Sequence, residues 1–533
     1  MSTVKSKFFL TRPELKLWLY VFAGLCIIFS PLICQFIWGN HDWQPLISDN
    51  GLDSGLIEGR FSQYTLVRIF LMGKILPILN ILIGLLLYAA ALVLLYSRFF
   101  EFSVHKSAVI PLLVAATLPY INEILYFQFI VFSQLSWPLV LVFALICAKK
   151  ASSTPHFFLY TGLSFILLLL SLGGYPATIN FYMTATCLWI IRKQTKNVSM
   201  HNLLKIISPF AISLLAAFLS LYLIYNWLSA HHLMMNLYNN QTPAIKDLIL
   251  KIIPTIGLSL QSLIQPQPFF SLSFKLITST IIILFIAQLL HTTHSKKQFI
   301  ILVVMLPILF LCIKFSAWLT TETSANYFAK YDPAAFMIRT DFYAVPCLIL
   351  FCLTILREKK NILRNLSLIL SGLLFINSTV ANFNFAKVHL FGFHAEELLQ
   401  QRLNARIQEH LNYNPKTMYT IIQAGELPLR HRYYQSQKHE KYGYYTLQIP
   451  YFRHWIAFEY YNFWEPTPFV KEGTAIDPTE INKEMIDFLS QKITLWPQPN
   501  SVYIDNNYGI IALTSKGKSM LTDQFNSIKD TLP

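Results

Sequence analysis

The sequence has little charge, and that charge is unevenly distributed. Asp, Glu, Lys and Arg make up 13% of the 533 residues, whereas about a quarter is normal for a soluble protein. Long windows carry no charge, and the C-terminal region holds much of it, which predicts lipid-facing helices followed by one soluble module. The basic residues lie in short clusters between apolar runs, where they set membrane topology, so the net charge of +15 does not predict nucleic-acid binding.

The sequence also lacks the motifs of soluble enzymes, disulfide frameworks and zinc sites. All seven cysteines fall inside apolar segments, where small apolar packing residues are expected. There is no Walker loop, no Gly-x-Gly-x-x-Gly and no His-Glu-x-x-His. These absences argue against direct use of a nucleotide through a standard phosphate loop. No cofactor is predicted from these patterns.

Long apolar runs are what the chain has in abundance. A spanning helix needs ~20 mostly apolar residues, because each residue rises ~1.5 Å across a core of ~30 Å. Eleven candidate spans are 17–38, 71–96, 107–122, 125–147, 157–173, 176–191, 204–228, 272–290, 298–316, 340–356 and 363–382. The first is long for a signal-peptide core and lacks a small-residue cleavage site, so we predict a retained helix.

The loops between these spans alternate in charge. With an inside N-terminus, the basic residues fall in the inside loops, and most acids fall outside, as the positive-inside rule expects. The inside cations are Arg98, Lys106, Lys149, Lys150, Arg192, Lys193, Lys196, Lys296, Lys297, Arg357, Lys359, Lys360 and Arg364. Eleven spans then place the C-terminal domain on the outside face, which for an inner-membrane protein of a Gram-negative bacterium is the periplasm. If 107–122 and 125–147 are not both full spans, everything downstream inverts.

The predicted fold is a polytopic α-helical membrane domain of about 11 transmembrane helices over residues 1–383, followed by a soluble α/β domain over 384–533. In the soluble domain, helical spacing of leucines and Ile407 predicts a helix over 394–411, and 479–491 predicts another. Short strands are predicted at 418–422, 501–504 and 509–513, the last two joined by a turn.

The first outside loop, within 39–70, concentrates the chemistry. It carries four acids and one arginine beside the membrane: Asp42, Asp49, Asp53, Glu58 and Arg60. A carboxylate can take a proton from a sugar hydroxyl, and an arginine can bind phosphate through paired hydrogen bonds. A base and a phosphate clamp are what transfer from a lipid-linked phospho-sugar requires. The alternative is a solvated acidic loop that only balances the topology.

Several short motifs carry a family resemblance. Asp42-Trp43, a spacer and Gly59-Arg60 resemble the first outside loop of the bacterial Gtr-type glucosyltransferases, with His41 and Phe61 in place of that family's Asp and Pro. The stretch from Gly174 to Asn180 resembles a family segment that opens a helix, and Met337-Ile338-Arg339 resembles one near a late span. The tail from Pro499 to Leu513 resembles the closing hairpin of the family's soluble domain.

The resemblance implies a membrane transferase of the GT-C type. Such enzymes take a sugar from an undecaprenyl-phosphate carrier on the periplasmic side and pass it to a growing glycan, commonly lipopolysaccharide O-antigen. It implies Asp42 as the catalytic base and Arg60 as a contact to the carrier phosphate.

Four further residues are weaker candidates for substrate binding. Asp53 and Glu58 could orient the acceptor or hold a divalent cation, with simple solvation as the alternative. Arg339 and Lys330 could meet the carrier phosphate or only anchor a helix at headgroup level.

Two other functions remain open from the sequence. A transporter or flippase of lipid-linked saccharides would be expected to show inverted repeats and midplane charges, and the sequence shows no repeat and few such charges. An O-antigen polymerase or ligase shares many spans and large outside loops. The long soluble domain after the last span favours the transferase.

Overall fold

A computed structural model gives the architecture of most of the chain. It describes residues 10–35, 60–74, 76–125, 128–194, 200–233, 255–257, 259, 270–293, 295–320, 333–358, 362–417, 419–424, 470–471, 485, 487–505, 508–512, 515 and 518–519. These residues belong to two compact units, which divide between Ala386 and Lys387.

The regular structure of the first unit is almost entirely helical over its described residues. Its longer helices are α1 (Arg12–Ile28), α2 (Phe61–Leu71), α3 (Pro77–Leu94), α4 (Val109–Ala116), α5 (Gln128–Ala151), α6 (Phe157–Gly174), α7 (Ile179–Gln194), α8 (Met200–Ala230), α9 (Leu272–Thr292), α10 (Lys296–Thr320), α11 (Pro333–Glu358) and α12 (Ile362–Gln408). Short helical turns lie at Ser30–Ile33, Leu95–Phe99, Lys106–Ala108, Pro119–Ile121, Asn122–Leu125 and Pro176–Thr178.

Eight of the described helices are long and apolar enough to cross a membrane. They are Ile78–Phe99, Ile130–Ala151, Phe157–Gly174, Leu204–Ala230, Leu272–Thr292, Gln298–Ser316, Thr340–Glu358 and Ile362–Phe391. The chain is therefore a multi-pass membrane protein. The other three predicted spans contain shorter described helices, since α1 has 17 residues, α7 has 16, and α4 is an apolar helix of eight.

The predicted span 107–122 is interrupted for a local reason. Leu118 precedes Pro119 and is extended, as the proline ring requires, so α4 ends before it. The Thr117 carbonyl left at this break accepts a hydrogen bond of 2.8 Å from Nδ2 of Asn382. At the other end of the segment, Arg357 donates to the Ser107 carbonyl. Residues 106–125 therefore begin beside Arg357, at the end of α11, and pass Asn382, which lies about 30 Å along α12.

One end of the first unit is held by ion pairs, and we call it the Glu14 end. Glu14 accepts hydrogen bonds from the backbone of Thr11 and from the Arg98 guanidinium, each at 2.8 Å. Glu101 lies 2.6 Å from Nζ of Lys149 and 3.3 Å from Nζ of Lys193. Burial opposes ionisation of Glu101, but the hydrogen bonds and charges of the two lysines outweigh it and lower the carboxyl pKa.

Further contacts bring four of the predicted inside loops to the Glu14 end. Arg192 pairs with Glu358 at 3.7 Å, which joins α7 to the end of α11. The guanidinium of Arg192 also lies 3.9 Å from the ring centroid of Phe102. Cations of separate loops therefore share one end of the bundle, as their alternation along the sequence predicts.

The Glu14 ion pair makes a prediction about pH. Burial raises the pKa of this carboxyl, but hydrogen bonds from Arg98, Thr11 and Ser97 outweigh it and lower the pKa to about 2. A lowered pKa in the folded state contributes stability above the ordinary value near 4.5, and that stability is lost as pH falls towards 2. We expect Glu14→Gln to lower the melting temperature at pH 6, with the difference from wild type shrinking between pH 4.5 and 2. Thermal melts in detergent across this window measure it, and a constant difference would contradict it.

The second unit contains the end of α12 and a small mixed sheet. Its described strands are β1 (Tyr419–Ala424), β2 (Val470–Lys471), β3 (Val502–Ile504) and β4 (Tyr508–Ala512), in the order β2-β1-β4-β3. β1 is parallel to β2 and β4, and β3 is antiparallel to β4. The predicted strands near 418–422, 501–504 and 509–513 are present, and the last two form the predicted hairpin. Much of the predicted helix 479–491 lies outside the described residues.

Helix and sheet share one apolar core in this unit. Its buried members are Leu403, Ile407, Tyr419, Val502, Ile504 and Ile511. The first two come from α12, at the leucine and isoleucine positions that predicted a helix over 394–411. The predicted helix is therefore present up to Gln408, as the last part of the helix that begins at Ile362.

Candidate active site

A cation and an aromatic ring meet at the end of the first unit opposite Glu14, which we call the Arg60 end. Arg60 precedes the first turn of α2, and its guanidinium lies 5.4 Å from the centroid of the Tyr175 ring. Helix α5 runs from one end to the other, with Gln134 at the Arg60 end and Lys149 at the Glu14 end. These two residues are fifteen positions apart, which is about 22 Å along the helix. A cation over a tyrosine face is attracted by the ring quadrupole, so the ring orients the guanidinium.

The position of Tyr175 is fixed by the junction between α6 and α7. It is extended, with φ −158° and ψ 112°, and Pro176 starts the turn that follows. The Tyr175 amide donates to Ser171, and its carbonyl accepts from the Thr178 amide and hydroxyl. The residue is only 7% exposed, so one face of the ring meets Arg60 while the rest is packed.

Two glycines allow aromatic side chains to pack against the end of α6. A Cβ at Gly173 would lie 2.6 Å from ring atoms of Phe61, and one at Gly174 would lie 2.6 Å from Nε1 of Trp137. Such distances are too short for real Cβ contacts. The glycines therefore bring Phe61, the neighbour of Arg60, and Trp137 directly onto the helix beside Tyr175.

A buried hydrogen bond between Tyr343 and Gln134 lies next to Tyr175, inside the bundle. The ring of Tyr343 lies 5.9 Å from that of Tyr175, and its hydroxyl donates to Oε1 of Gln134. Within the part of the chain that the structure describes, Nε2 of Gln134 and Nε1 of Trp137 are buried and have no hydrogen-bond partner. Buried donors without acceptors are costly.

The structure places only part of the predicted site. Arg60 lies at the Arg60 end, and Arg339 lies on α11 two residues before Asp341, with its side chain outside the described atoms. Asp42, Asp53, Glu58 and Lys330 lie outside the described residues. Among the described residues, no group of three or more His, Cys, Asp and Glu could hold a metal ion.

The sequence analysis missed the buried groups of this end. Asp341 pairs with Lys314 between α10 and α11, and Gln134, Tyr343 and Asn180 form hydrogen bonds nearby. A signal existed for the ion pair, because one lysine near the end of span 298–316 and one aspartate at the start of span 340–356 interrupt apolar runs. Ionisable groups within spans mark functional sites by default.

The fold and this site define a class: a multi-pass membrane protein with a cationic, aromatic-lined site at one end of its helical bundle. A family model described as Glucosyl transferase GtrII matches residues 39–338, more than half of the chain. The chain belongs to this family, and it is accordingly a glucosyltransferase. No curated protein and no solved structure matches it.

Proposed function

We propose that the enzyme takes glucose from an undecaprenyl-phosphate-linked donor and transfers it to a periplasmic glycan such as lipopolysaccharide O-antigen. The observation that carries the proposal is the Arg60 guanidinium over Tyr175, at the end of a membrane bundle and directly after the acidic loop in the sequence. A lipid carrier holds its phosphate at the membrane surface, where an arginine at a helix terminus can form paired hydrogen bonds with it. The Tyr175 ring holds the guanidinium of Arg60 in place for this contact.

The residue roles follow from the same chemistry. Asp42 removes the proton of the acceptor hydroxyl, whose oxygen then attacks the anomeric carbon of the donor. The bond from that carbon to the phosphate oxygen breaks, and undecaprenyl phosphate leaves with its charge held by Arg60. Arg339 and Lys330 supply further positive charge to the carrier phosphate. Asp53 and Glu58 orient the acceptor or hold a divalent cation, which carboxylate oxygens would bind.

The orientation proposed is an inner-membrane enzyme with a cytoplasmic N-terminus and a periplasmic C-terminal domain. Support comes from the Glu14 end, where Arg98, Lys149, Arg192, Lys193 and Arg357 gather. Cations accumulate on the cytoplasmic side of membrane proteins. The Arg60 end then faces the periplasm, where a lipid-linked sugar donor can be used without a nucleotide.

A transfer assay tests the proposed function. We expect the purified enzyme in nanodiscs to move glucose from undecaprenyl-phosphate-glucose to an O-antigen acceptor. We expect it to use UDP-glucose poorly, because a soluble nucleotide lacks the lipid that would hold the donor phosphate at the membrane surface beside Arg60. In cells, deleting the gene should remove one sugar from an otherwise normal surface repeat, measured by mass and linkage. Transport of the lipid-linked sugar without a new glycosidic bond would instead identify a flippase, and longer repeats would identify a polymerase.

A further inference from the structure

A buried ion pair lies near the Arg60 end and has no role in the proposed reaction. Nζ of Lys314 on α10 lies 2.8 Å from Oδ1 and 2.7 Å from Oδ2 of Asp341 on α11. Both residues are less than a tenth exposed. A buried pair of this kind is not evidence of stability, because apolar residues of similar volume often serve as well or better. Its directional contacts instead fix the relative position of two helices.

The amide of Asn180 on α7 binds backbone groups next to both residues of this ion pair. Its Oδ1 accepts hydrogen bonds from the backbone amide and hydroxyl of Ser316, at 3.0 and 2.8 Å. Its Nδ2 donates to the carbonyls of Ile313 at 3.0 Å and Thr340 at 3.5 Å. Ile313 and Ser316 lie on either side of Lys314 in α10, and Thr340 directly precedes Asp341 in α11. One fully buried side chain therefore ties three helices together at the level of the ion pair.

Two short segments, 175–180 and 341–343, carry Asn180 and Asp341 as well as the aromatic pair next to Arg60. Tyr175 lies five residues before Asn180, across the Pro176–Thr178 turn that opens α7. Tyr343 lies two residues after Asp341, and its ring contacts Tyr175 while its hydroxyl bonds Gln134. A shift of α11 against α7 would therefore move Tyr343 relative to Tyr175. Because the Tyr175 ring orients Arg60, the guanidinium would be displaced as well.

We propose that Asp341, Lys314 and Asn180 are positioning residues for the donor site. They hold the Tyr175–Tyr343 pair in place, and through Tyr175 they hold the Arg60 guanidinium where it meets the carrier phosphate. The inference rests on the proposed role of Arg60. The positioning residues touch no substrate, and they act on donor affinity through Arg60 alone.

A double-mutant cycle tests whether the effect passes through Arg60. We expect Arg60→Ala to raise the donor KM by about tenfold, the loss of one charge-assisted contact. Asp341→Asn and Asn180→Ala should each raise it by about fivefold, and neither should raise it further in the Arg60→Ala background. The dissociation constant of undecaprenyl phosphate, measured directly, should follow the same pattern. Asn180→Ala creates no unpaired buried charge, so it serves if Asp341→Asn fails to fold.

The matched control is Glu14→Gln, which removes another carboxylate of a buried ion pair at the opposite end. It should lower the melting temperature and leave the donor KM unchanged in both backgrounds. Additive effects of Asp341→Asn and Arg60→Ala, or an unchanged KM in both Asp341→Asn and Asn180→Ala, would overturn the positioning role while leaving the proposed function intact. A wild-type enzyme that neither binds undecaprenyl phosphate nor transfers from it would overturn the proposed function and this inference together.

Discussion

Replacing Asp42 by asparagine is expected to lower the rate of glucosyl transfer by about a thousandfold without unfolding the protein. Asparagine has nearly the same size and remains polar, but it cannot accept a proton from the acceptor hydroxyl. The loss should appear in kcat, with the donor KM little changed, because Arg60 still binds the carrier phosphate. Steady-state transfer from undecaprenyl-phosphate-glucose measures both constants, and a thermal melt checks the fold.

The same loop supplies a matched control for Asp42. Asp49 lies seven residues further along, and Asp49→Asn removes an identical charge from the same acidic segment. If the loop only balances topology, both variants should behave alike and transfer should survive in each. If Asp42 is the base, only its replacement should stop the reaction. Transfer unaffected by Asp42→Asn would reject this residue as the base and leave Asp53 and Glu58 to be tested in the same way.

The membrane part of the fold is largely readable from hydropathy because its cause is simple. A run of apolar residues must be long enough to cross the hydrocarbon core, and eight described helices meet that condition. Hydropathy does not report where a helix ends. The chain becomes polar after about residue 383, yet no proline follows Ile362 until Pro415, so α12 continues to Gln408. Leucine spacing predicted that 394–411 is helical, but it did not show that this helix continues from the last span.

Part of the candidate site could be proposed from the sequence because one short segment carries the signal. Arg60 was proposed from its place beside Gly59 in a charged loop, and the Gly174–Asn180 stretch was singled out by its resemblance to a family segment. The structure shows what three residues of that stretch contact. Gly174 leaves room for Trp137, Tyr175 packs against Arg60, and Asn180 forms hydrogen bonds to α10 and α11.

The ion pair was not predictable in the same way. Lys314 and Asp341 are 27 residues apart and lie on different helices. Helical periodicity assigns each residue to a face of its own helix, but the neighbour of that face depends on how the helices pack. The hydrogen bond between Gln134 and Tyr343 could not be predicted for the same reason, because the two residues are 209 positions apart.

Gly174→Ala should be among the most disruptive single-methyl changes in the bundle. Its new Cβ would overlap the indole of Trp137, which is 2% exposed. Overpacking of this kind costs about 1–3 kcal/mol. Because Tyr175 follows directly, the displaced helix end should also weaken donor binding through Arg60. Thermal melts and the donor KM of the purified variant measure the two effects.

The same helix contains the control for this glycine. Gly162 also lies in α6, and a Cβ there meets no heavy atom within 4 Å. Gly162→Ala should therefore stabilise the helix by up to about 1 kcal/mol, the propensity difference between the two residues. If overlap with the indole is the cause, Trp137→Phe should partly rescue Gly174→Ala, because the smaller ring vacates the space that the new methyl needs. A Gly174→Ala protein as stable as wild type, or a double variant worse than both single variants, would show that Trp137 does not confine this position.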